Sequence, residues 1–361
     1  MIRNLREKLN TLSTSPKKPL RIAETVCWVR DTEAPLANFD AVNAWHARIL
    51  GINGFNPRRA LFLDTETTGL GGAGTVAFLI GAGFAQGDRF VVRQFLMRDY
   101  GQEASQLQLF AELASDFDSL VTFNGKSFDV PLLRSRFTLQ RMDKLWRDLP
   151  QLDLLHAARR VWKLRLTNCS LQRLEAETLG LIRTDDLAGA EVPQRFFDYL
   201  KSEDFSLLED VLRHNAQDIL SLAALLCKLT EAYEHAEEQQ NMLDVFSLGR
   251  SFLRVGEQER ARRCFRIASM GPARRALAES YRSTGEWEQA QSIYEEMVRR
   301  GECGVEPYIR LAILAEHRFH DPQKALTYTR QAMLRAPTSE LQTLERRRMR
   351  LAAKIERNLL R

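Results

Sequence analysis

The 361-residue chain has no uncharged apolar run approaching the roughly 20 residues that span a bilayer. Its charged opening, Met1 to Lys8, is not followed by the apolar core of a secretion signal. No membrane association is expected, and the expected location is the cytoplasm. Cysteine is scarce: there are five, at Cys27, Cys169, Cys227, Cys264 and Cys303, and no two stand at C-x-x-C spacing. An odd, scattered set excludes a disulfide scaffold and signals neither a zinc site nor a redox pair, so the five read as small buried hydrophobes. Wholesale disorder is excluded by a composition of 44% hydrophobic and 27% charged residues, which is ordinary for a soluble globular protein. At roughly 150 residues per domain, two or three domains are expected.

What is present is unevenly distributed. Net charge is +5, but residues 1–21 carry +5, residues 22–244 carry −9 and residues 245–361 carry +9. An acidic middle between basic ends suits a centre rich in carboxylates flanked by surfaces that attract a polyanion.

The first 21 residues, with Ser13 to Pro16, Lys17, Lys18 and Pro19, read as a mobile lead-in, and Ala34 to Pro57 carries no clear pattern. From Arg59 onward the pattern sharpens. Ala60 to Leu63 and Thr75 to Phe84 are apolar runs, and Phe90 to Met97 alternates as a half-buried strand does. Short Gly-containing turns between them predict an antiparallel meander. Glu103 to Ala114 has helical spacing, Leu120 to Phe123 reads as a strand and Val130 to Leu139 as a helix. Strands followed by alternating strands and helices predict a mixed α/β sheet flanked by helices. Beyond it, Asn168 or Ser170 caps a helix running to Leu179 with Gly180 at its end, and Leu207 to Lys228 is long and periodic.

The last third repeats. Leu248-Gly249, Phe252, Gly256, Ala261, Phe265 and Ala268 are matched by Leu277-Ala278, Tyr281, Gly285, Ala290, Tyr294 and Met297. They are matched again, with a one-residue insertion, by Leu311-Ala312, Ala315, Ala325, Thr329, Ala332 and a closing Pro337. Small residues where paired helices touch and aromatics in the gaps are what a stacked helical repeat needs. The pattern resembles tetratricopeptide repeats at offsets of 29 and 34 residues, with Leu341 to Leu360 as a polar capping helix. The expected division is an N-terminal extension, partly flexible, over 1–57, an α/β domain over 58–232 and an all-α repeat domain over 243–361.

Chemistry concentrates in three segments. Leu61-Phe-Leu-Asp-Thr-Glu-Thr-Thr-Gly-Leu70 puts Asp64 and Glu66 two residues apart on a strand, so both side chains point to one face. Two carboxylates this close repel unless a cation lies between them, and oxygen-only clusters select hard ions such as Mg²⁺ or Mn²⁺. Val121-Thr-Phe-Asn-Gly-Lys-Ser-Phe-Asp129 turns at Asn124-Gly125 and presents Asp129 at a helix start. His214-Asn-Ala-Gln-Asp218 lies on a helix, where four residues make about one turn and place both end groups on one face.

These segments resemble the DEDD exonucleases of the ribonuclease H-like superfamily. The Asp-Leu-Ala-Gly and His-Asn-x-x-Asp-Ile contexts are similar to its YprB-type branch. The resemblance covers about residues 58 to 230. It implies a ribonuclease H-like fold and a 3′–5′ exonuclease-type phosphodiesterase, a two-metal-ion enzyme acting on a single-stranded or frayed 3′ end of nucleic acid. It also implies that Asp64, Glu66, Asp129 and Asp218 hold two ions, Mg²⁺ or Mn²⁺, roughly 4 Å apart, and that His214 orients or deprotonates the attacking water. In the His-type branch of these nucleases the base lies five residues before the last Asp, and in the Tyr-type branch four. Here His214 has the Tyr-type spacing and Arg213 falls at the His-type position.

Each residue also has a plainer reading. The acids can be solvated turn residues of a relic fold, and His214 a helix-surface histidine. Thr67, Asn124, Lys126 and Phe128 are candidate substrate contacts, although Asn124-Gly125 reads first as a turn, and Phe123 and Phe128 either stack on a terminal base or fill core. Asp153 is an outer acid of the site or only a strand end; Asp185 and Asp186 read as loop acids, and His156 and Trp162 as core or helix-surface residues. The clusters Arg262-Arg263, Arg274-Arg275 and Arg346 to Arg348 either bind phosphates or solvate helix faces. The alternative to an enzyme is a catalytically weak nucleic-acid-binding or scaffold protein that recruits a protein partner through its repeats. A hydrolase of small nucleotides is a third reading, against which the basic ends weigh.

Overall fold

The computed structural model describes residues 27–69, 74–184 and 187–359. The expected lead-in over 1–21, Leu70 of the first acidic motif, Asp185, Asp186 and the last residue of the expected closing helix, Leu360, lie outside the described residues. The chain divides after Glu234 into two compact units.

The first unit is built on a mixed six-stranded sheet. Its strands are β1 (Trp28–Pro35), β2 (Ala60–Thr67), β3 (Ala77–Gln86), β4 (Arg89–Leu96), β5 (Ser119–Thr122) and β6 (Gln151–Asp153), in the order β1-β4-β3-β2-β5-β6. β1 through β2 pair antiparallel, and β5 and β6 add in parallel. β2, β3 and β4 form the predicted meander. Residues 28–57, expected to belong to an extension, supply the edge strand β1 and the helix α1 (Ala44–Leu50) of this unit. All but one of the β1 positions are partly buried or exposed, which is why they carry no clean two-residue period.

Helices cover both faces, so the central strands read as continuous apolar runs. On one face Leu61 and Leu63 pack with Leu107 and Phe110 of α2 (Glu103–Ala114) and with Leu133 and Phe137 of α3 (Asp129–Leu139). On the other, Phe78 and Leu96 pack with Phe196 of α6 (Val192–Ser202) and with Leu208, Val211 and Leu212 of α7 (Ser206–Glu234). The Phe78 and Phe196 rings stack with centroids 4.2 Å apart. Between these helices lie α4 (Leu154–Leu166) and α5 (Leu171–Leu174), and α5 continues into a wider π-turn over Glu175–Leu179 before the left-handed Gly180. The helix expected to end at Leu179 thus changes hydrogen-bond register in its last turn.

The second unit, among the described residues, contains seven α-helices: α8 (Met242–Arg254), α9 (Gln258–Ala268), α10 (Gly271–Ser283), α11 (Trp287–Arg300), α12 (Glu306–His317), α13 (Pro322–Met333) and α14 (Thr338–Leu359). The repeated positions point inward: Leu248, Phe252, Ala261, Phe265, Ala278, Ala290, Tyr294, Leu311, Ala312 and Ala325 are all buried. The turns within the three helix pairs carry a left-handed residue at Gly256, Gly285 and His320, which reproduces the one-residue insertion read in the third repeat. The arginine clusters face carboxylates of this unit. Arg262 is buried against Glu259 and Glu286, Arg263 pairs with Glu237, Arg274 with Glu302, Arg275 with Glu306 and Arg348 with Glu345. Among the described residues no helix is long and apolar enough to cross a membrane.

Candidate metal centre

Asp64 and Glu66 stand at the C-terminal end of β2, partly exposed, with Thr65 and Thr67 buried beside them. The register against β3 shifts between Glu66 and Thr67, a bulge of the kind that re-aims side chains at a sheet end. Asp64 lies opposite Gly81 of β3. A Cβ at Gly81 would stand 2.2 Å from Asn215 Oδ1 and 2.4 Å from Ile219 Cδ1, so only glycine lets α7 lie this close to the sheet. That approach delivers Asn215, fully buried, whose Nδ2 donates to Asp64 Oδ2 at 2.8 Å. Asn215 Oδ1 accepts from Gln94 Nε2 at 3.0 Å, and Gln94 also donates to the Leu212 carbonyl at 2.8 Å. A glutamine–asparagine–aspartate chain therefore fixes the Asp64 carboxylate.

Asp64 feels the charges of the other three predicted acids. Burial pushes the Asp64 carboxyl well above the usual carboxylate range, and the charges of Asp218, Glu66 and Asp129 push it further, against the Asn215 hydrogen bond. Asp129 opens α3 and is buried. Its Oδ1 accepts from the Thr65 hydroxyl at 2.5 Å. Burial raises its carboxyl to about 6, opposed chiefly by that hydrogen bond.

The loop before Asp129 is held from below. Asn124 is left-handed at φ 65°, and Asp153, at the end of β6, accepts from the backbone N–H groups of Asn124 at 2.9 Å and Lys126 at 3.3 Å. It also caps α4 through the Leu155 N–H at 3.0 Å. Asp153 is thus the clamp of this turn. The Asn124 and Lys126 side chains are exposed, Phe123 and Phe128 are half-buried, and Thr67 is buried and donates to the Gly69 carbonyl at 2.8 Å.

On α7, His214 is buried and Asp218 partly so, with His214 Nε2 3.9 Å from Asp218 Oδ2. Arg213, at the alternative spacing, is exposed and paired with Asp210, so it turns away from the acids. His214 Nδ1 lies 3.4 Å from Nη1 of Arg183. A guanidinium has donors only, so the ring nitrogen facing it accepts and the ring proton sits on Nε2. Arg183 also donates from Nε and Nη2 to both Glu175 oxygens at 2.6 Å and from Nη2 to Asp218 Oδ1. Glu175 is 1% exposed, lies in the π-turn and accepts from the Ser221 hydroxyl.

The sequence assigns no role to Arg183, Glu175 or Gln94, nor to Asn215, which stands inside the histidine motif. The available signals were small: a glutamine inside the apolar strand β4, and an asparagine beside the motif histidine. Among the described residues no three His, Cys, Asp or Glu side chains stand at the spacing of a preformed metal site. The donor set nevertheless fits a hard divalent ion, because every predicted ligand is a carboxylate and their mutual repulsion is what such a cation relieves.

The family match agrees with this architecture. Residues 61–230 match the RNase_H superfamily, so the first unit carries a domain of that class, for which a nuclease acting on nucleic acid with a divalent ion such as Mg²⁺ is the general expectation. Over 363 aligned positions the chain is 31% identical to the Uncharacterized protein YprB of Bacillus subtilis (strain 168), covering 93% of this chain and 87% of that protein. The chain belongs to the family of that protein. Among solved structures, the family B DNA polymerase from the hyperthermophilic archaeon Pyrobaculum calidifontis aligns with 14% identity and a TM-score of 0.38. That match covers 78% of this chain and 38% of the polymerase chain, a likeness too weak to bear on function.

Proposed function

We propose that the chain is a DEDD-type nuclease that hydrolyses phosphodiester bonds from the 3′ end of single-stranded or frayed nucleic acid, with two Mg²⁺ or Mn²⁺ ions held by Asp64, Glu66, Asp129 and Asp218. The observation that carries this reading is the convergence of acids from β2, α3 and α7, close enough that burial first and then the charges of Asp218, Glu66 and Asp129 raise the Asp64 carboxyl. Such a cluster costs stability in the metal-free fold, and bound cations relieve that cost. Bound divalent ions supply a nucleophilic water at neutral pH and stabilise charge on the phosphate.

The chain's own groups do the rest. Asn215 and Thr65 hold Asp64 and Asp129 in fixed orientations. His214, beside Asp218, orients the attacking water and accepts its proton at Nε2 as the neutral imidazole whose own proton is on Nδ1, the reverse of the tautomer held in the metal-free protein. The exposed Asn124 and Lys126 suit contacts to substrate phosphates, and Thr67 and Phe128 border the same acids, Phe128 offering a ring on which a terminal base stacks. The helices of the second unit, which resemble tetratricopeptide repeats, offer a surface for nucleic acid or for a protein partner.

The test is hydrolysis of 3′- and 5′-labelled single-stranded DNA and RNA with Mn²⁺, with Mg²⁺ and with EDTA. Metal-dependent shortening from the 3′ end is expected. Asp64→Ala is expected to lower the rate at least about 10³-fold, the equivalent of about 4 kcal/mol of barrier. One observation favours the second reading, a catalytically weak binding protein: a guanidinium already sits on Asp218. Nucleic-acid binding without cleavage under any metal would establish it.

A further inference from the structure

Arg183 takes no part in the chemistry above, yet it is among the most firmly held charges in the unit. Its side chain is 11% exposed and its fork meets both oxygens of Glu175. Bidentate, partly buried pairs of this kind are rigid, and the Ser221 hydroxyl further anchors Glu175. From that anchorage the same guanidinium reaches Asp218 Oδ1 and His214 Nδ1. A carboxylate oxygen accepting from a guanidinium is denied to a metal ion. Asp64 and Asp129 instead accept from the uncharged Asn215 and Thr65 side chains.

We propose that Arg183 is the resident cation of the Asp218 side of the centre. It neutralises Asp218 in the metal-free protein, and the second divalent ion binds more weakly than the first because it must displace the guanidinium. Glu175 makes the displacement feasible, since Arg183 leaves Asp218 without losing its remaining carboxylate partner. This inference rests on the metal-binding reading above and adds an order to it: one ion on the β2 side first, the second only against Arg183.

Mn²⁺ titration of the full-length chain, followed by the electron paramagnetic resonance of free Mn²⁺, tests it without reference to activity. The wild type is expected to bind one ion tightly and a second at least tenfold more weakly. Arg183→Gln alone leaves the Glu175 charge buried without its guanidinium, so the informative variant is Arg183→Gln with Glu175→Gln, which puts two amides face to face. In it the second ion is expected to bind at least tenfold more tightly than in the wild type, with the first unchanged. Glu175→Gln alone acts in the opposite direction: Arg183 then has Asp218 as its acidic partner, and the second ion weakens further. Asp218→Asn removes the second ion in every background. A second affinity that is the same in wild type, double variant and Glu175→Gln overturns the role of Arg183 and leaves the metal reading standing. So does loss of the second ion when Arg183 is removed. Failure of every form to take up Mn²⁺ overturns both.

Discussion

Asn215 donates to Asp64 and accepts from Gln94, so its amide is oriented from both sides in a fully buried position. Truncation removes both contacts at once. Asn215→Ala is expected to cost about 1–3 kcal/mol of stability, the usual penalty for stranding buried polar groups, read as a lower urea midpoint with an unchanged slope. It also takes away the one hydrogen bond that opposes the rise of the Asp64 carboxyl, so metal affinity should fall with it. Asp129 makes a prediction of the opposite kind. Its carboxyl lies at about 6 in the fold, against an ordinary value near ~3.9, so the fold favours the protonated form. That contribution is fully present below about pH 4 and is lost as pH rises through about 6. Metal-free wild type should therefore lose on the order of 2 kcal/mol relative to Asp129→Asn between pH 4 and 6.5. Parallel stability profiles for the two proteins would refute it.

The packing of α7 on β3 is the element-level device that assembles the site, because it brings His214, Asn215 and Asp218 over the end of β2. Its tolerance is small at Gly81, where an added methyl meets the Asn215 amide and Ile219. Gly81→Ala is expected to destabilise by about 1–3 kcal/mol and to lower nuclease activity through displacement of Asn215. A fully active and stable Gly81→Ala protein would show that α7 adjusts freely. The same elements show what was legible in advance. Asp64, Glu66, Asp129, His214 and Asp218 stood out because each lies where a local pattern, a strand end or a helix turn, sets its direction. The meander and the helix pairs were legible for the same reason, from periods of two and of about 3.6 residues. Gln94, Glu175 and Arg183 were not, because their roles come from partners 118, 46 and 35 residues away. Glu175 owes its position to a π-turn that leaves no mark in the hydrophobic pattern. Edge strand β1 escaped because its half-buried positions lack alternation.

At the scale of the whole chain, the two compact units divide the labour of charge. The predicted centre gathers acids in the first unit, while many arginines of the second are paired with its own glutamates. If nucleic acid meets the second unit, as proposed, it meets only the surplus of basic groups over acids in residues 245–361, and the salt dependence of binding should be modest for so large a count of arginines. Two units with separate cores also predict two calorimetric transitions. Among the described residues, the carboxyls raised by burial and by neighbouring acids, Asp64 and Asp129, lie in the first unit. A ligand that binds the folded form stabilises it by about 2.7 kcal/mol at a hundred times its dissociation constant, which for a domain of this size amounts to roughly 5–10 °C. Mn²⁺ should raise the transition of the first unit by that amount at pH 8 and leave the second in place. Because Asp64 and Asp129 must lose protons to accept a cation, the shift should shrink at pH 5 and vanish with EDTA or in Asp64→Ala. A common shift of both transitions would instead mean that the two units unfold as one, and an equal shift at both pH values would mean that the raised carboxyls are not the ligands.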